Sequence, residues 1–555
     1  MKKWQFFCFS VEENSRCGKI YICNFFTKGN VKMRRRYWTK ILCLGLVLSV
    51  VGCSAPGQTG KNTETESEPT RDMENVVLVS VSPEKMSTTN GGKFEGWGTS
   101  LCWWANRMGY SDELAQQAAD LFYGDNGLRF NIMRYNIGGG DDPTHDHITR
   151  TDSEVPGWMV YNEATGHFEY DYTADHNQLN VMERAVKAAG KDAYVEVFSN
   201  SPPYFMTESG CSSGNTSAFM NNLKADQVEA FAEYLAHVSA YINNELGIKV
   251  SSVSPMNEPS TGYWSAYSPK QEGCHVSSGE AQSAILVATA KAFEKAGLGD
   301  VVIVGSDETN PKDAYKAYEA YTEEALAVLD RVSTHTYQKT GMASLARLSK
   351  EKGFNLWMSE VDGDGVLGVD AGEMGAALFI AKYIIDDTMC LSPSAWIMWQ
   401  VADNHISSEG YNGKQDFGMV DLNKGYWGAT VVDHDNQKII VTQKYYAIGQ
   451  FTRYIRPGDT LIHIDSNSMA AYNSEKQQLV IVATNCEGED KEHFFDLSEF
   501  KTIGKTAQQI RTSGSLAEGE HWAELEDIKM DKTGLFTSLK ANSVTTFIID
   551  GVTLE

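Results

Sequence analysis

The chain has 555 residues and a formal net charge of −25, with 73 Asp and Glu against 48 Lys and Arg, which excludes an electrostatically driven nucleic-acid binder. Hydrophobic residues make up 42%, enough for a large buried core, so disorder of the whole chain is excluded as well. Its 12 Trp, 25 Tyr and 23 Phe supply flat apolar faces of the kind that line clefts as well as cores.

The first feature in chain order is an export signal. Residues 33–53 set a basic cluster (Arg34, Arg35, Arg36, Lys40) before an apolar run from Ile41 to Val51, followed by Gly52 and Cys53. That run is shorter than the ~20 apolar residues a membrane span requires. Val50-Val51-Gly52-Cys53 resembles a bacterial lipobox. The resemblance implies that Cys53 is the lipid-modified first residue of an exported cell-surface or periplasmic lipoprotein, which meets the membrane only through that lipid. Met33 is a second candidate start. Removing residues 1–53 deletes ten basic and two acidic residues and leaves −33, so the acidity belongs to the exported body. Residues 54–75, rich in Ser, Gly, Thr and Glu, read as a flexible linker.

Beyond Cys53 there remain Cys102, Cys211, Cys274, Cys390 and Cys486. An odd number at irregular spacings is neither a disulfide framework nor a zinc motif. Cys211 and Cys274, both in Gly/Ser-rich loops, are the one candidate pair in an oxidising compartment.

From Lys93 onward, apolar strand-like runs alternate with helical patterns. The strands are expected at Phe94–Leu101, Ile132–Ile137, Ala193–Ser199, Val250–Met256, Val301–Ser306, Arg331–Tyr337, Asn355–Val361 and Ala395–Val401. Amphipathic stretches between them include Asp112–Phe122, Gln178–Ala189, Gln227–Asn243, Glu280–Ala296, Lys312–Leu329 and Gly372–Asp386. Eight strands with crossover helices predict an α/β fold, a closed (β/α)8 TIM barrel over 93–455. The alternative is an open doubly wound sheet, whose dinucleotide-binding form lacks its Gly-x-Gly-x-x-Gly turn here. After a last helix at Tyr445–Tyr454 the period changes to short alternating strands (Gln478–Ala483, Leu535–Leu539, Thr545–Ile549). These predict a side β-sandwich over 456–555, joined by 76–92 through a strand at Val77–Val81.

Barrel chemistry sits at the C-terminal strand ends. The second strand ends in Arg134-Tyr135-Asn136, the third in Ser199-Asn200-Ser201, the fourth in Asn257-Glu258-Pro259. The sixth ends in His335-Thr336-Tyr337, the seventh in Ser359-Glu360, the eighth in Trp399-Gln400. Two glutamates at one opening suit cleavage of a glycosidic bond, in which one carboxyl donates a proton to the leaving oxygen and the other attacks the anomeric carbon. Glu258 is the better acid/base, because the amide of Asn257 could hold a sugar hydroxyl beside the reacting carbon. Glu360 is the better nucleophile, because Arg134 and Tyr337 could hydrogen-bond it and keep it ionised.

Asn257-Glu258-Pro259, Glu360, Arg134 and Trp399 resemble the clan A glycoside hydrolases, retaining enzymes of the eight-fold barrel. Within that clan the segments from Phe94 to Trp104, Arg134 to Gly139, Ser199 to Pro203 and Ser543 to Phe547 resemble glycoside hydrolase family 30. Gly96-Trp97-Gly98-Thr99-Ser100-Leu101-Cys102-Trp103-Trp104 and the loop Gly138 to His147 are most similar to its endo-β-1,6-galactanase-like branch. The resemblance implies a barrel with a fused sandwich that cuts β-linked galactan by double displacement and needs no cofactor. Where many members carry Trp two residues after Ser-Pro-Pro, this chain has Phe205.

The loop Gly138 to Arg150 holds Asp141, Asp142, His145, Asp146 and His147. His-x-His is a known ligand pair, but no further ligand set is visible at the other strand ends, so no metal is expected. A wall of hydrogen-bonding groups for sugar hydroxyls, including Asp141 and Asp142, is expected instead, with Asn136, Asn200, Asn257 and His335 as further contacts. Trp97 and Trp399 are expected to stack on sugar faces, whereas Trp104 and Trp264 fit binding and packing equally. The partner is a polysaccharide or oligosaccharide and the chain a monomer. A β-1,6-glucanase or glucosylceramidase-like β-glycosidase is the alternative within the family, and a non-catalytic glycan-binding lipoprotein the alternative outside it.

Overall fold

The computed structural model describes residues 74–363, 371–414 and 427–554. The signal segment with Cys53, the linker up to residue 73 and residues 364–370 and 415–426 lie outside the described residues.

Eight parallel strands close into a barrel: β1 (Gly96–Ser100), β2 (Ile132–Asn136), β3 (Tyr194–Phe198), β4 (Val250–Ser254), β5 (Val302–Glu308), β6 (Arg331–His335), β7 (Asn355–Glu360) and β8 (Ala395–Met398). Each pairs with its sequence neighbours, and β8 closes on β1 with Trp396 opposite Trp97. Helices cover the outside, so the strands are buried on both faces and read as near-continuous runs rather than alternating ones. The expected helix Lys312–Leu329 is two, Pro311–Ala320 and Glu323–Val328, because the Thr322 hydroxyl accepts the Ala325 N–H and starts the second. One crossover helix, Met342–Lys352, was not expected. It buries Met342, Leu345 and Leu348 on one stripe and lies between Gly341 and Gly353, both at positive φ.

The side domain is a sandwich. Thr460–His463, Ser468–Asn473, Gln478–Asn485, Ser543–Asp550, Thr506–Ser513 and Glu520–Lys529 form a six-stranded sheet in that spatial order. Val77–Ser80, Lys491–Asp496 and Gly534–Leu539 form a three-stranded sheet, with Val77–Ser80 parallel to Lys491–Asp496. Alternation along the six-stranded sheet serves two cores. Ala470, Ile481, Phe547 and Ile549 face the three-stranded sheet, while Met469, Val480, Val482 and Val544 join the core of the barrel. The helix Gln443–Thr452 lies at that junction, where a Cβ on Gly449 would stand 2.2 Å from the Trp522 ring.

Two expectations fail here. Trp97 is fully buried, packs against Trp396 and Phe451, and donates its ring N–H to the Ile455 carbonyl at 2.8 Å, so it is a core residue that no sugar can reach. Cys211 and Cys274 do not pair: both are free thiols, with Cys211 Sγ beside His147 and Cys274 Sγ facing the His275 carbonyl. Trp104 is likewise core, against Phe122.

Candidate active site

The chain leaves β4 through Pro255-Met256-Asn257 and sets Glu258 at a φ of +47°, its N–H donating to the Asp307 carbonyl at 2.9 Å. Asp307, in β5, has a φ of +54°. Two neighbouring non-glycine residues in the left-handed region mark backbone strain held by the surrounding fold, a condition that clusters at active sites. Glu360 is the last residue of β7, after a register irregularity against β6.

These ends bring two carboxylates together. One oxygen of Glu258, one of Glu360 and a ring nitrogen of His335 all lie within 4.8 Å of one another. His335 Nδ1 is 3.0 Å from Glu258 Oε1 and 3.5 Å from Glu360 Oε1, while its Nε2 is 3.3 Å from Asp307 Oδ1. Glu360 accepts from the Tyr337 hydroxyl at 3.0 Å and from Arg134 Nη1 at 3.2 Å. Arg134 is fully buried, donates also to Glu196 at 3.0 Å and Asp307 at 2.7 Å, and lies over the Phe198 ring. Glu258 accepts from the hydroxyl of Tyr263, which is half-exposed, and its carbonyl accepts from Trp264 Nε1.

Burial raises the Glu360 pKa to about 7; the Glu258 charge adds to this, while His335 and Arg134 oppose it. Arg134 and Tyr337 are thus the partners expected, but desolvation outweighs them. Burial alone would discharge His335, yet the Glu360 and Asp307 carboxylates hold its pKa up at about 10. Asp307, despite burial, is kept below the usual carboxylate range by Arg134 and His335. The carboxylates around His335 thus favour its imidazolium form between the two glutamates.

That arrangement has a stability signature. A histidine whose folded pKa is raised from 6.5 to about 10 stabilises the fold fully below pH 6.5 and loses this as pH rises through about 10. The melting-temperature difference between wild type and His335→Gln is expected to be largest near pH 6.5 and to shrink toward pH 10. A difference that is constant across this window contradicts the charged state.

The remaining expected residues fall into two groups. Asn136 donates to Glu272 at 3.2 Å and accepts the Asn200 N–H at 3.3 Å. Asn200 Oδ1, Asn257 Oδ1 and Gln400 Nε2 are buried with no hydrogen-bond partner among the described residues. Buried polar atoms are rarely left so, and at strand ends they are what a sugar's hydroxyls would satisfy. Trp399 meets Trp103 edge-on at 5.0 Å. By contrast, Asp142 turns back on its own loop and accepts from Thr144 N and Oγ1, Asp141 faces His147, and Trp264 packs over Gly273 behind Glu258.

Sequence reading missed Asp307, Tyr263 and Glu272. The expected fifth strand stops at Ser306, one residue short of the carboxylate that holds Arg134 and His335. Glu272, whose pKa burial lifts to about 8, reaches Asn136 and the Gly139 N–H from a loop with no periodic signal.

Residues 76–412 match the family model for O-glycosyl hydrolase family 30. The chain belongs to glycoside hydrolase family 30. It is 29% identical over 492 residues to an endo-β-1,6-galactanase of Hypocrea rufa, covering 84% of this chain and 94% of that one. It is 25% identical over 532 residues to an exo-β-1,6-galactobiohydrolase of Bifidobacterium longum subsp. longum; the match covers 75% of this chain and 35% of that relative. Among solved structures, an endo-β-1,6-glucanase superposes with a TM-score of 0.57 at 16% identity, over 87% of this chain and 97% of that one, a likeness of fold. This family 30 glycoside hydrolase thus carries its paired glutamates on the barrel ends where the sequence pattern put them.

Proposed function

We propose that this family 30 enzyme is a retaining endo-β-1,6-galactanase in which Glu360 is the nucleophile and Glu258 the acid/base. The carrying observation is the approach of the two carboxylates, with oxygens within 4.8 Å. Retaining glycosidases hold their carboxyls at ~5–5.5 Å, whereas inverting ones leave ~6.5–9.5 Å for an intervening water. In the first step Glu360 attacks the anomeric carbon as Glu258 gives its proton to the glycosidic oxygen, releasing the leaving sugar. In the second, Glu258 takes a proton from water, whose oxygen displaces Glu360 and regenerates both carboxyls.

Roles follow from environment. Glu360 sits between Arg134 and His335, two cations that favour the carboxylate form needed for attack. Glu258 lies toward the open side, against half-exposed Tyr263, where a leaving sugar would stand. Similarity to the Hypocrea enzyme over nearly its whole length supports galactan as substrate. The test is digestion of linear β-1,6-galactan and β-1,6-glucan in parallel. Mixed-length galactan products are expected. Faster cleavage of the glucan would install the alternative β-1,6-glucanase reading, and no turnover of any β-glycoside the non-catalytic one.

Endo action finds support on the leaving-group side. Phe219 and Met220 are exposed, and Phe219 lies against Gly262, next to Tyr263. An apolar ledge there would hold further sugars of a polymer. Phe219→Ala is expected to lower kcat/KM on long galactan oligomers about tenfold, with little effect on an aryl β-galactoside. Equal loss on both substrates would remove the ledge from the account.

The signal segment and Cys53 lead us to infer an exported lipoprotein. Labelling of cells with a radioactive fatty acid should mark wild type and not Cys53→Ala.

A further inference from the structure

We infer that Asp141, His147 and Cys211 form a zinc-class divalent metal site that joins the loop after β2 to the loop after β3. Asp141 and His147 come from the first loop and Cys211, 64 residues beyond His147, from the second. Each of the three offers a ligand atom, and these atoms all lie within 4.8 Å of one another. Of the His-x-His pair only His147 belongs to the cluster, and it gains a carboxylate and a thiol in three dimensions.

The local geometry suits a tetrahedral ion. Cys211 Sγ stands 3.4 Å from His147 Nε2, while Ser213 Oγ lies closer to both, at 3.1 and 3.0 Å, as a hydrogen-bond partner. With metal bonds of ~2.0–2.3 Å to N, O and S, tetrahedral ligands stand about 3.3–3.6 Å apart. The Tyr267 backbone N–H points at Cys211 Sγ at 3.3 Å and holds the sulfur toward His147. Asp141 Oδ2 is 2.9 Å from His147 Nδ1, yet that nitrogen makes no hydrogen bond, so the carboxylate stands beside the ring instead of in line with its N–H. Its side chain is 16% exposed, and its other oxygen, which accepts the Ser212 N–H at 3.4 Å, is the one turned toward the Cys211 loop. Water takes the fourth position. Sulfur, nitrogen and oxygen together select a borderline cation such as Zn2+ over Ca2+ or Mg2+.

A nucleophilic role for the same cluster fails, because Cys211 has no solvent exposure. Binding is a proton exchange: the Cys211 thiol proton leaves to solvent as the metal–sulfur bond forms. The product is a clamp between two loops, whose strands carry Asn136 and end beside Asn200.

The test uses the whole exported chain stripped of metal, titrated with Zn2+ and, in parallel, Co2+. One equivalent is expected to bind, with a near-ultraviolet sulfur-to-cobalt charge-transfer band and a higher melting temperature. Cys211→Ser should lose the band, and His147→Ala should bind at least tenfold more weakly. Melting of both variants without metal, compared with metal-free wild type, checks their folding; if either fails to fold, the wild-type titration decides alone. Binding without the band, which means an adventitious ion only, or uptake of much less than one equivalent overturns the site and leaves a hydrogen-bonded Cys–His–Asp cluster.

Discussion

Glu360→Gln is expected to lower kcat/KM on β-1,6-galactan by about 10⁴- to 10⁶-fold, the scale on which removal of a covalent nucleophile is felt. The amide keeps the volume and can still accept one hydrogen bond from Tyr337 or Arg134, so the loss reads chemistry rather than collapse of the pocket. It removes one negative charge from a cluster in which Arg134 and His335 already carry positive charge, so the anomeric carbon meets no anion as its bond to the leaving oxygen lengthens. A smaller variant sharpens the assignment. Glu360→Ala with added azide should form an α-galactosyl azide, because azide can then enter from the face that Glu360 occupied. Turnover within tenfold of wild type, or a β-galactosyl azide, would remove Glu360 from the nucleophile role.

Glu258→Gln should behave differently. General acid catalysis is worth about 10²- to 10⁴-fold, and only where the leaving group needs a proton. The loss is therefore expected in full on galactan. On an aryl galactoside whose phenol departs unprotonated, the first step should proceed near the wild-type rate while the second slows, and the galactosyl-enzyme should accumulate. In Glu258→Ala, azide should instead yield a β-galactosyl azide by attack on that intermediate. The opposite anomers from the two alanine variants separate the two carboxylates by role. Uniform loss on galactan and activated substrate alike would contradict Glu258 as the acid.

Much of this was legible because parallel strands buried on both faces read as unbroken apolar runs, and all eight barrel strands were located that way. Their polar ends then named Arg134, Glu258, His335, Tyr337 and Glu360, five groups that the fold joins into one cluster by hydrogen bonds and the His335–Glu360 contact. What sequence could not carry is direction. Trp97 sits one residue from the barrel strands' common start and points outward to Phe451, a fact that aromatic character alone does not reveal. Similar Gly/Ser-rich loops suggest pairing Cys211 with Cys274, but loop composition does not say which wall of the mouth a thiol faces. Asp307 escaped because the end of a strand is its least certain part, and β5 runs on through Asp307, which meets both Arg134 and His335. Burial also reversed an expectation of charge: proximity of Arg134 to Glu360 was foreseen, whereas desolvation of the carboxyl to a pKa of about 7 needs the enclosing structure.

Attack of Glu360 on the sugar, across a shared opening from Glu258, leaves a covalent mark that trapping reveals. The enzyme is incubated with an activated 2-deoxy-2-fluoro-β-galactoside, digested, and its peptides are mapped by mass spectrometry. One fluorogalactosyl group on Glu360 is the predicted result; the same group on any other residue, or no adduct from an enzyme that turns over the parent galactoside, would contradict it.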